Sequence, residues 1–67
     1  MDNWKRIIGN DPENDDKLAY EIYHEDKLVC MIRSKKVGVF VTLFEKDIDI
    51  PFSWFFEAIQ EAKNRIH

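Results

Sequence analysis

Leu18-Ala19-Tyr20-Glu21-Ile22-Tyr23-His24 is the first of three runs that decide the fold. It alternates in character with a period of two, so Leu18, Tyr20, Ile22 and His24 share one face of a strand and Ala19, Glu21 and Tyr23 the other. Glu25-Asp26-Lys27 has the composition of a tight turn. Leu28-Val29-Cys30-Met31-Ile32-Arg33 follows, apolar on both faces, and Ser34-Lys35-Lys36 turns the chain again. Val37-Gly38-Val39-Phe40-Val41-Thr42-Leu43-Phe44 is the third run, rich in the β-branched and aromatic residues that suit a pleated surface. Short turns between such runs predict an antiparallel β-meander over residues 18–50. Ile48 and Ile50 alternate with Asp47 and Asp49, so a short edge strand at 48–50 is expected to end at Pro51.

Downstream, Ser53 reads as the N-cap of a closing helix over residues 54–66. At 100° per residue, Trp54, Phe55, Ala58, Ile59, Ala62 and Ile66 fall within an arc of roughly 140°. Phe56 lies outside that stripe. Lys63 and Arg65 sit near the C-terminus, where cations suit the helix dipole. Upstream, Trp4, Ile7 and Ile8 fall on one side of a single helical turn that Gly9 ends, with a short strand as the alternative reading. Residues 10–17 combine Pro12, two Asn and four acids with no apolar residue and read as a loop. The fold expected is α+β: a small antiparallel three- to four-stranded meander with one C-terminal amphipathic helix packed on one face. Residues 1–67 form a single domain made of an N-terminal segment and acidic loop (1–17), the meander (18–50) and the helix (53–66).

A helix covers one face of a sheet, yet the second and third runs carry apolar residues on both. Leu28, Cys30 and Ile32 would oppose Val29 and Met31; Val37, Val39, Val41 and Leu43 would oppose Phe40 and Phe44. One set is left over, and monomers rarely keep a large apolar patch in water. The expected outcome is a homodimer stacked sheet to sheet. The rival is that residues 1–9 fold back over that face with Trp4 as its plug. Self-association also fits the length, since 67 residues with one cysteine have no disulfide to reinforce a small core.

Charge separates along the meander. One end collects His24, Glu25, Asp26, Glu45, Asp47 and Asp49, and the other collects Arg33, Lys35 and Lys36. The acidic loop at 11–16 enters the first run at the basic end and is expected to neutralise it. Glu45, Asp47, Asp49 and His24 bring metal-type donors to one end, but acids commonly flank turns, and no metal is assigned. Cys30 sits mid-strand among apolar residues, as a structural thiol does. His24 has no partner nucleophile in the pattern. Gly9 and Gly38 are too far apart for a phosphate loop. No catalytic residue and no cofactor is assigned, and an enzyme is not expected.

Net charge is −3 and the pI about 5.2. Binders of nucleic acid generally show a cationic excess, because phosphate neutralisation supplies much of their affinity. The function expected is therefore that of a non-enzymatic, acidic protein-interaction module: a bacterial or phage regulator, inhibitor or immunity-type protein. Its contacts would come from Trp54, Phe56, Phe40 and Met31 with the acids Glu45, Asp47 and Asp49. The partner protein is unidentified. The alternative is a dimeric single-stranded nucleic-acid binder using Arg33, Lys35 and Lys36 with Tyr20, Tyr23 and Phe40 as stacking surfaces. A meander followed by one helix is similar in layout to the single-stranded-DNA-binding transcriptional coactivators, which are dimers; the layout comes with no shared motif. No run approaches the roughly 20 apolar residues that span a bilayer. No signal peptide is recognised, so a cytoplasmic location is expected, with which the lone Cys30 agrees.

Overall fold

The structure, a computed structural model, describes residues 3–66. Four antiparallel strands run in sequence order, β1 (Trp4–Asp11), β2 (Lys17–His24), β3 (Lys27–Lys35) and β4 (Gly38–Leu43), and one helix, α1 (Phe52–Ile66), packs on β2 and β3. The α+β architecture is as the sequence indicates. The fourth strand, however, comes from the N-terminal segment and not from residues 48–50. Those residues are irregular, and Ile48 and Ile50 pack against the core from outside the sheet.

Residues 4–11 are a strand because β2 needs a neighbour. β1 pairs with it along its whole length, from Trp4 opposite His24 to Asp11 opposite Lys17. A helical turn would have satisfied those residues locally but left the β2 edge unpaired. β1 thus extends the sheet sideways and does not cross its open face. Trp4 lies on the helix side, stacked on His24 with ring centroids 4.5 Å apart and 5.6 Å from Trp54. The reading in which residues 1–9 cover the second face with Trp4 as plug is overturned for 4–9; Met1 and Asp2 lie outside the described residues.

Cross-strand neighbours share a face, so the register sorts the side chains into rows. Arg6, Ile22, Cys30 and Leu43 form one row under the helix, and Ile8, Tyr20, Ile32 and Val41 the next. On the open face the rows are Ile7, Glu21, Met31, Thr42 and Gly9, Ala19, Arg33, Phe40. A register shift between Ile22 and Tyr23 puts Tyr23 opposite Leu28 and makes Val29 an extra residue. Val29 therefore joins Cys30 and Ile32 in the buried core, and does not share the open face with Met31 as strict alternation implied. The turn after β2 holds Glu25 and Asp26 at φ of 52° and 65°, the left-handed pair that tight hairpins require.

The helix starts one residue before Ser53. Pro51 precedes Phe52, and its carbonyl accepts the first helical bond from the Phe55 N–H at 2.9 Å. Ser53 is thus inside the first turn and is not the cap the sequence suggested. Ala58 and Ala62 are fully buried on the sheet, and their small side chains let the helix approach closely.

At the other end of the sheet the acidic loop folds onto Arg33. A short 3-10 turn, Pro12–Asn14, is capped by Asp11, whose Oδ1 accepts from the Glu13 N–H at 3.1 Å. Asp11 is only 2% exposed, and its Oδ2 lies 3.1 Å from Arg33 Nε. The Nε–H is not aimed at that oxygen, and neither atom has another hydrogen-bond partner, so the contact is chiefly Coulombic. Glu13 adds a carboxylate 3.7 Å from the guanidinium, and Asn14 donates to the Ser34 carbonyl at 3.0 Å. The expected neutralisation of the basic end is present, but through Arg33 and not through Lys35 and Lys36. Replacing Arg33 by Met strands a buried carboxylate and is expected to remove about 2 to 3 kcal/mol of stability. Urea unfolding should show it, with faster amide exchange across residues 13–16. A loss under about 0.5 kcal/mol, the range of an ordinary surface substitution, would mean that Arg33 does not hold the loop.

Candidate functional site

The open face is not the continuous apolar surface that the sequence implied. Glu21 lies over Gly9, where an added Cβ would come within 2.8 Å of its Oε2. Tyr23 donates its hydroxyl to Glu21 Oε1 at 2.7 Å, and that hydrogen bond is the main reason its pKa is raised. Arg33 reaches back over Met31, with Nη2 3.5 Å from the sulfur, and Met31 is only 7% exposed. Lys35 Nζ stands 5.3 Å from the Phe40 ring centroid. Polar and charged groups thus cross the middle of this face, and its largest exposed apolar side chains are Ile7 and Phe40.

The uncovered hydrocarbon lies elsewhere, along β4 and the flank of α1 nearest to it. On the β1 side the helix is fastened. Arg6 Nη2 pairs with Glu61 Oε2 at 2.9 Å, its Nη1 donates to the Trp54 carbonyl at 3.4 Å, and its guanidinium lies 5.3 Å from the Trp54 ring centroid. Tyr20 donates to Glu61 Oε1 at 3.1 Å. Phe52 and Phe56 stand roughly 160° around the helix from Trp54. They therefore lie on the opposite flank, toward β4, with centroids 6.0 Å apart. Phe52 is 78% exposed and Phe56 51%. Val41 and Leu43 sit in the helix-side rows, yet Leu43 is 62% exposed, since α1 packs mainly on β2 and β3. Val41, Leu43, Phe52 and Phe56 are thus the exposed apolar side chains of this flank. Beside β4 lies an open trough of about 500 Å³ lined by Leu43, Phe44, Ile48 and Ile50, by the acids Glu45 and Asp47, and by Lys46.

The residues expected to make contacts divide accordingly. Phe56 is exposed on the α1 flank, Glu45 and Asp47 line the trough together with Lys46, and Asp49 is exposed. Glu45 is held by Lys27 at 3.3 Å. Phe40 is exposed but on the other face. Trp54 and Met31 are occupied inside the fold and offer little surface. Phe52 and Leu43 were not singled out by the sequence. Pro51 was the signal for Phe52, since a helix beginning just after it places Phe52 one turn from Phe56.

The alternative nucleic-acid set is divided. Tyr20 is buried under the helix and Arg33 is engaged with Asp11, while Lys35, Lys36 and Phe40 are exposed, with Tyr23 half-buried on the same face as Phe40. His24 is stacked on Trp4, with Glu25 at 3.9 Å. Among the described residues, no three of His, Cys, Asp and Glu converge as metal ligands. No helix among the described residues is long and apolar enough to cross a membrane. Comparison with known proteins returns no match to a family model, a curated sequence or a solved structure.

Cys30 is fully buried, and burial pushes its thiol from 9.0 up to about 11. The folded protein therefore keeps the thiol proton through the range in which the unfolded chain loses it. Below pH 9 this contribution to stability is complete; between pH 9 and 11 it is lost as pH rises, because only the unfolded state releases the proton. The raised Tyr23 adds a loss of the same sign at higher pH. Denaturation midpoints should fall across pH 9 to 11, less steeply in Cys30→Val, and native Cys30 should resist alkylation at pH 8. Rapid alkylation without unfolding would contradict the burial.

Proposed function

We propose that this chain is a non-enzymatic interaction module, a small acidic regulator, inhibitor or immunity-type protein that works by seating a partner protein. The observation that carries the reading is the exposed hydrocarbon of β4 and of the α1 flank away from β1. Val41, Leu43, Phe52 and Phe56 are all exposed, and Phe52 stacks on Phe56, in a protein of a size that rarely leaves so many large apolar side chains in water. Aromatic anchors beside a charged rim are the usual anatomy of a contact site. Glu45, Asp47 and Asp49 outnumber Lys46 and the Glu45-paired Lys27 there, leaving the rim a slight negative excess in keeping with the net charge of −3. The partner expected is one with an apolar ridge bordered by Lys or Arg, because complementary charge steers the encounter and fixes its orientation.

The test is affinity capture from the native host with wild type and with Phe56→Ser, a change at an exposed position that leaves the core intact. Wild type should retain a specific partner, and Phe56→Ser should weaken that complex at least about tenfold, as loss of an aromatic anchor does. Unchanged melting temperatures would show that the fold is not the cause. Equal retention by both proteins, or retention of nucleic acid and no protein, would overturn the reading.

A further inference from the structure

We draw no further inference here: the strongest candidate, the outward edge of β4 with its exposed Val41 and Leu43, carries none, because Lys35 pairs within the sheet with Gly38, Glu45 is held by Lys27, and nothing in the structure shows what covers that edge.

Discussion

One helix is too narrow for four strands. An α-helix with its side chains is about 10 to 12 Å across, whereas four strands spaced about 4.8 Å apart span roughly 14 Å between their outer backbones. The described residues hold a single α-helix, so some strand must lie outside its cover. Arg6, Trp4 and Glu61 settle which one. An ion pair at 2.9 Å and an aromatic contact at 5.6 Å fasten α1 to β1, whereas Val41 and Leu43 of β4 stay exposed, as do Phe52 and Phe56 on the opposite flank of the helix.

The open face is protected by different means. It has no second layer, and Arg33, Glu21, Tyr23 and Lys35 cover it by lying flat across small or apolar neighbours. Long polar side chains shelter hydrocarbon well when their stems lie along it and their ends find partners. Arg33 does this for Met31 while answering the buried Asp11. One residue thus links the acidic loop to the sheet and makes a polar face out of what alternation alone would read as an apolar one.

Much of this was legible in the sequence. Period-two alternation over 18–24 and the β-branched run from Val37 locate strands directly, and the apolar stripe from Trp54 to Ile66 locates the helix. What escaped was set by contacts between distant residues. The strand at 4–11 depends on the free edge of β2, and its local pattern suits a helical turn equally well. The exchange of Val29 for Leu28 in the core depends on a bulge that no residue type announces. Phe56 stood out because it falls off the helical stripe. Leu43 did not, because its exposure depends on where the helix stops short, a distance that no single-strand pattern encodes. Arg33 looked like a free cation because Asp11 is remote in sequence and adjacent in space.

The central claim is that the helix leaves β4 and its own far flank uncovered. Hydroxyl-radical footprinting of the dilute protein, read residue by residue by mass spectrometry, tests it most directly. Phe52, Phe56 and Leu43 should oxidise several times faster than Tyr20, Ile32 and Phe55, with Trp54 slower than its intrinsic reactivity because it lies between Trp4 and Arg6. Equal protection of Phe52, Phe56 and Leu43 with the core residues would show that the helix covers β4 after all, and the account of the trough would fail with it.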